Sequence, residues 1–158
     1  MFRILFALFL LALPAAAQDV ADMAPRPGWE VLPTAFTHED LVARTRAAIS
    51  GNGMGIVTQA GPTGAAANRG ITIPGNTVIG AFNNRFAVRI LLLSTSAMIH
   101  APIRFYVTEN TDGTATLAYI RPSFLLAPYF EEADPDLISA ANELDVVFSA
   151  IATDATTR

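Results

Sequence analysis

Polar residues in the middle of the chain have the types and positions of an anion-binding site. Asn83 stands where a predicted strand gives way to a helix, so free backbone N–H groups at the helix start are available to an anion. Arg104 and Tyr106 share one face of a predicted strand, and a following hairpin would bring Tyr119 to face them. The candidate ligand-binding side chains of this region are Asn83, Arg104, Tyr106, Glu109 and Tyr119.

Arg104 has two interpretations. If its face of the sheet lines a groove, the guanidinium fork is suited to a carboxylate or another anion. Alternatively, Arg104 pairs with Glu109, Glu39 or another acid and neutralises a half-buried charge. The sequence leaves both interpretations open.

An aromatic segment forms a second candidate surface. Phe124 and Tyr129 lie in the connection SFLLAPYF, together with Leu125, Leu126 and Phe130. Such a segment over the end of a sheet would line a pocket for a lipophilic molecule or bury a dimer contact, and core packing is the alternative.

Residues for metal binding or nucleophilic catalysis are sparse. The histidines are His38 and His100, and the chain has no cysteine. Ser94 and its neighbours lie near His100, but no G-x-S-x-G elbow is present and no acid close in sequence would orient the histidine. We therefore predict no catalytic residue, no metal and no cofactor, and an enzyme is disfavoured.

The first residues resemble a cleaved leader. Arg3 precedes an apolar run of ten residues, which is too short to span a bilayer, and Ala15 and Ala17 fill the small-residue positions of a signal-peptidase site. We predict a signal peptide over residues 1–17, a flexible lead-in over 18–28, one domain over 29–153 and a frayed tail over 154–158. The protein would then be periplasmic, with no membrane span after leader cleavage. A formal charge of −4 makes it a poor binder of nucleic acid.

The hydrophobic periodicity predicts the element order strand-helix-strand-strand-helix-strand-strand-helix. The last helix has apolar residues every three or four positions, with Pro135 at its start, and it ends near Ala152. The second helix is apolar on more than one face, so it is either buried on two sides or part of a subunit interface. Strands are predicted over residues 29–36, 55–60, 76–82, 103–109 and 114–120, and helices over 38–50, 85–93 and 135–152.

The order of these motifs resembles the family called domain of unknown function 302. The motifs are the glycine-rich turn GNGMG with the strand IVTQA, the strand end VIGAFNN, the segment APIRFYVTE, a D-G hairpin and the closing AYIRP. The likeness covers about residues 33–151. It implies an α+β two-layer sandwich, in which an antiparallel or mixed sheet has helices on one side.

The sequence departs from the family pattern at two positions. Asn84 follows the strand-end asparagine where the family usually has proline, and Ile103 stands where relatives often have cysteine or leucine. The second change removes any thiol chemistry that relatives would use. The resemblance supplies no catalytic residues, because none are agreed for the family.

The sequence thus predicts an exported α+β domain, with about five mostly antiparallel strands and three helices, that binds a ligand or partner without catalysis. The expected ligand is small and either anionic or lipophilic. Two alternatives stay open: a homodimeric scaffold without a small ligand, and an unassigned hydrolase.

Overall fold

The fold is one sheet of five antiparallel strands with helices packed on one of its faces. The computed structural model describes residues 20–131 and 133–157, so the predicted leader, residues 1–17, lies outside the described residues. The strand order across the sheet is β1-β5-β4-β3-β2, and every neighbouring pair is antiparallel. The strands are β1 Trp29–Pro33, β2 Gly55–Ala60, β3 Asn76–Phe82, β4 Ile103–Glu109 and β5 Ala115–Ile120.

The described part of the chain contains five α-helices and two short 3₁₀ turns. Three of the helices are the predicted ones, and the other two, α2 and α4, are short segments inside predicted connections. The α+β sandwich with a five-stranded antiparallel sheet is therefore confirmed, and the predicted count of three helices was too low. The helices are α1 His38–Gly51, α2 Thr63–Ala67, α3 Asn84–Leu93, α4 Pro122–Leu126 and α5 Asp136–Thr156, and the 3₁₀ turns are Ser96–His100 and Ala127–Tyr129.

The core lies between the sheet and helices α1 and α5. Ile103, Phe105 and Val107 of β4 are buried, as alternation predicts, and Phe105 is fully shielded from solvent. The ring of Phe105 stacks on Phe148 of α5 with centroids 4.7 Å apart, and Tyr119 of β5 packs against both rings. This aromatic cluster fixes the helix layer over the centre of the sheet.

Side-chain caps define the start of two helices. Thr37 accepts a hydrogen bond from the backbone N–H of Asp40 at the start of α1. Asn83 accepts from the backbone N–H groups of Arg85 and Phe86 at the start of α3. Each cap satisfies N–H groups that have no partner inside the helix.

Helix α5 continues to Thr156, four residues beyond its predicted end near Ala152. Ala155 is fully buried, and its carbonyl accepts a hydrogen bond of 2.7 Å from Nε of Arg44 on α1. The prediction that the tail frays from residue 154 is wrong for residues 154–156, because this contact holds the last turn against α1.

The outer face of α3 is apolar and exposed. Val88, Leu91 and Leu92 are 57%, 47% and 81% exposed, and Ile90 is the residue of this helix that is buried. The prediction that α3 is buried on two sides is therefore wrong for the described chain. The alternative, a subunit interface on this helix, stays a prediction.

Across the residues that the structure describes, none of the helices has the length and apolar character needed to cross a membrane.

Candidate functional site

The face of the sheet away from α1 and α5 carries the candidate site, and we call it the open face. Arg104 and Tyr106 project from β4 on this face, because Ile103, Phe105 and Val107 are buried on the opposite one. The register places Gly80 beside Arg104 and Val78 beside Tyr106. The open face thus combines a guanidinium and a phenol with small or apolar neighbours.

A cavity of about 340 Å³ lies on the open face, and we call it the first cavity. Trp29 of β1, Val78 of β3, Ile120 of β5 and Leu125 of α4 contribute apolar surface to it. Trp29 and Ile120 are paired residues of the adjacent strands β1 and β5. The volume is within the range of sites that hold small organic ligands, about 300–1,000 Å³.

Polar side chains line the same cavity. Arg104 is exposed and has no hydrogen bond or ion pair with any residue that the structure describes. His100 bonds through Nε2 to the hydroxyl of Tyr129 at 3.1 Å, and the two rings meet edge to face. The amide of Asn76 donates to the hydroxyl of Tyr106. The guanidinium of Arg104 is therefore the cation of this cavity that is available to a ligand.

Tyr119 does not face Arg104, so the prediction that they share a face is wrong. Phe105 is the register partner of Tyr119, and the tyrosine ring is packed among the core aromatics. Tyr119 borders the first cavity, but it also lines a separate cavity of about 320 Å³ between β1 and α5. Burial, followed by the charges of Glu30 and Asp145, raises its pKa to about 12. Its hydroxyl is thus a proton donor on the helix side of the sheet.

Asn83 and Glu109 also lie away from the first cavity. Asn83 caps α3 and donates through its amide to the carbonyl of Gly53 at 2.9 Å. Glu109 is at the far end of β4, where its carboxylate accepts the backbone N–H of Gly75 at 2.6 Å. Neither side chain lines the first cavity. Asn83 follows the end of β3 at the start of α3, and Glu109 is separated from Arg104 by the length of β4 and belongs to the alternate set of residues that starts at Ile103.

The two aromatic candidates lie near the cavity without lining it. Phe124 packs over Gly28, where a Cβ would lie 2.3 Å from the phenyl ring, and it remains 48% exposed. Gly28 also has a positive φ of 78°, so glycine is required there on two counts. Tyr129 contacts the cavity indirectly, through its hydrogen bond to His100.

The two histidines contact different partners within the described chain. Nε2 of His38 lies 3.2 Å from the hydroxyl of Thr77, whereas His100 contacts Tyr129. Among residues 20–131 and 133–157, no cluster of three or more histidine or acidic side chains is arranged to hold a metal. The hydroxyl of Ser94 accepts a hydrogen bond of 3.2 Å from the backbone N–H of Ala97 in the following 3₁₀ turn.

A second cavity, of about 450 Å³, adjoins the first on the open face. The segment Val20–Arg26 forms one wall of it, and we call this segment the strap. Asp22 anchors the strap by accepting the backbone N–H of Thr111 at 2.8 Å, and the guanidinium of Arg26 stacks 5.2 Å from the ring of Trp29. The predicted lead-in is therefore in contact with the domain over the open face.

Sequence reasoning missed most of the cavity lining. Trp29, Val78 and Asn76 could have been found from strand alternation once the strand order was known, since they lie on strands that flank β4 and β5. Leu125 belongs to the aromatic segment that was expected to line a pocket, whereas His100 comes from a turn that has no periodic pattern, so the sequence carried no signal for its place in the cavity. The lining residues that were not among the predicted ligand-binding side chains are Trp29, Asn76, Val78, His100, Ile103, Ile120 and Leu125.

Comparisons with known proteins support the fold and indicate no activity. The family model described as "Domain of unknown function DUF302" matches residues 31–151. A solved structure described as "Crystal structure of uncharacterized conserved protein DUF302 from Bacillus stearothermophilus" is similar to this chain, with a TM-score of 0.71 and 17% sequence identity. The similarity covers 83% of this chain and 99% of that chain, and at this identity it shows the fold alone. No curated protein matches the chain.

Proposed function

The chain belongs to the DUF302 family, and from that premise we propose that this member binds a small amphipathic carboxylate in the first cavity of its open face. The observation that carries the proposal is Arg104, an exposed guanidinium without a partner in the described chain, beside a largely apolar cavity of about 340 Å³. The carboxylate of the ligand would accept two hydrogen bonds from the guanidinium fork, and its apolar part would lie against Val78 and Ile120.

Physical reasons favour an anion with an apolar body over a purely polar ligand. A guanidinium next to apolar surface is less screened than one in open water, so a carboxylate there gains more from pairing. A ligand gains binding free energy when it removes apolar groups from water, and this cavity presents those of Trp29, Val78, Ile120 and Leu125. Sites for small molecules typically combine an apolar lining with a few polar groups that fix orientation.

Binding is best measured through Trp29, which is the single tryptophan of the chain and lines the first cavity. Titration with octanoate should change its emission in a saturable manner, whereas octanol, which lacks the charge, should bind much more weakly. Octanoate that leaves the emission unchanged up to millimolar concentration would contradict the proposal. Native mass spectrometry of the freshly purified protein would show whether a ligand is retained and whether the protein is a dimer.

The proposal includes export. Residues 1–17 have the pattern of a cleaved leader, so the ligand would be met in the periplasm. We expect Gln18 at the N-terminus of the protein recovered from the periplasmic fraction. Recovery of that protein with Met1 still attached would contradict the predicted cleavage after Ala17.

One observation favours the homodimer as a second candidate function. The exposed side chains Val88, Leu91 and Leu92 of α3, with Ile99 at 76% exposure, form apolar surface of the kind found at subunit contacts. Light scattering on the wild type and on Leu92→Glu would test this candidate. A monomeric wild type at all concentrations would exclude it, and such a result would leave the ligand-binding proposal unaffected.

The hydrolase alternative gains no support from the described residues. Ser94 accepts from the backbone N–H of Ala97 and His100 contacts Tyr129, so Ser94 and His100 are not paired as nucleophile and base.

A further inference from the structure

The two cavities of the open face adjoin each other. Asn76 and Tyr106 line both of them, and the amide of Asn76 donates a hydrogen bond to the hydroxyl of Tyr106. The first cavity holds Arg104, and the second lies between the strap and the ends of β3 and β4. This single hydrogen-bonded pair of side chains is therefore the partition between them.

The second cavity offers a ligand apolar surface. The strap contributes Val20 and Met23, and the loop before β3 contributes Ile73 and Pro74. Burying such surface against an apolar chain is favourable in proportion to the area removed from water.

The carboxylates of the second cavity are engaged within the protein, because Asp22 accepts from Thr111 and Glu109 accepts from the backbone N–H of Gly75. Its guanidinium, Arg26, stacks on the ring of Trp29 at the first cavity and, like Arg104, has no hydrogen bond or ion pair with a described residue. The unpaired cations thus lie at Arg104 and beside Trp29, whereas the far wall of the second cavity, formed by Val20, Met23, Ile73 and Pro74, is apolar. A ligand that fills both would have its charge at one end.

We propose that the ligand is a long-chain carboxylate, whose head pairs with Arg104 and whose chain passes over Tyr106 into the second cavity beneath the strap. This inference rests on the proposed function and extends it by naming the ligand class. Passage of the chain requires that it lie over the phenol ring or that the bond between Asn76 and Tyr106 open. The strap would then cover the far end of the chain, anchored at Asp22.

The test compares octanoate with hexadecanoate, both kept below their micellar concentrations, with the emission of Trp29 as the signal. Three variants separate the contributions. Arg104→Ala removes the head contact, Met23→Glu places a charge in the wall of the second cavity, and Val146→Glu is the matched control. Val146 is 71% exposed on α5 and lines neither cavity. Met23 lies in the strap, outside the sheet and helices, so its substitution leaves the core intact.

We expect hexadecanoate to bind wild type at least tenfold more tightly than octanoate. Met23→Glu should abolish that difference while leaving the Kd for octanoate unchanged, and Arg104→Ala should weaken both ligands. Val146→Glu should behave as wild type.

The possible failures are distinguishable. If octanoate binds and hexadecanoate gains nothing, the proposed function stands and the long-chain inference is overturned. If hexadecanoate gains affinity and Met23→Glu leaves that gain intact, the chain does not enter the second cavity and the inference is again overturned. If neither acid binds, the proposed function and the inference fail together.

Discussion

Replacing Arg104 with alanine separates a ligand-binding role from a structural one. The guanidinium is exposed and has no partner among the described residues, so its loss breaks no observed contact. Surface substitutions of this kind change the free energy of unfolding by about 0.5 kcal/mol or less. For a domain of this size that corresponds to a shift in Tm of about 2 °C.

The same change should strongly weaken ligand binding. A hydrogen bond between charged groups contributes about 1.5–3 kcal/mol, and about 1.36 kcal/mol corresponds to a factor of ten in affinity. We therefore expect Arg104→Ala to raise the Kd for octanoate roughly 10- to 150-fold. Arg104→Lys should fall between wild type and alanine, because an ammonium cannot form the two parallel bonds of the guanidinium fork.

The measurements are the unfolding midpoint and the Kd from Trp29 emission. Arg89→Ala is the matched control, since Arg89 is on α3 and its guanidinium bonds Asp136 at 2.6 Å and Glu143 at 2.9 Å. That variant should lower the Tm and leave the Kd unchanged. If Arg104→Ala instead lost about 3–5 kcal/mol of stability, as expected for one half of a buried pair, the reasoning about Arg104 would be refuted.

Three further predictions concern positions outside the proposed ligand contacts. Since the pKa of Tyr119 is raised to about 12, the folded protein keeps a proton that the unfolded chain releases near pH 10, so stability falls as the pH rises from 10 to 12. Denaturant titrations should show a smaller fall for Tyr119→Phe, and an equal fall would contradict the assignment. Gly80→Ala should destabilise the fold, because a Cβ there would lie 2.2 Å from Oγ1 of Thr58 and 2.9 Å from the ring of Pro102. The double variant with Thr58→Ala should recover part of the lost Tm, and no recovery would argue against this clash. Asn83→Ala should lower the free energy of unfolding by about 1 kcal/mol through the lost helix cap and leave octanoate binding unchanged. Weakened octanoate binding would instead indicate that Asn83 contributes to the ligand site.

Local patterns in the sequence predicted most of the fold. Alternation identified β4, and the helices predicted to begin at residues 38 and 85 begin at His38 and Asn84. Pro33 cannot donate to a ladder, and β1, which ends at Pro33, lies at the edge of the sheet. These features depend on residues that are close in sequence, which is why they could be predicted.

The site depended on a register that the sequence did not determine. Strand β5 was predicted to begin at Thr114, and pairing Thr114 with Glu109 would place Tyr119 opposite Arg104. The observed strand begins at Ala115, which pairs with Glu109, so Ile120 takes that position instead. A shift of one residue moves every side chain of a strand to the other face.

The remaining lining required tertiary information. Trp29 reaches the first cavity because β1 pairs with β5, which is more than 80 residues away along the chain. Nothing local to Trp29 indicates that β5 is its partner strand. Arg104 and Tyr106 were predicted together because two residues of one strand share a face whatever the topology.

The most direct test of the proposed site is a crystal structure of the protein with octanoate bound. We predict that the carboxylate lies about 2.7–2.9 Å from the guanidinium nitrogens of Arg104 and that the chain contacts Val78 and Ile120. Octanoate bound only elsewhere, or a first cavity that contains only water at concentrations well above the Kd measured in solution, would contradict the account.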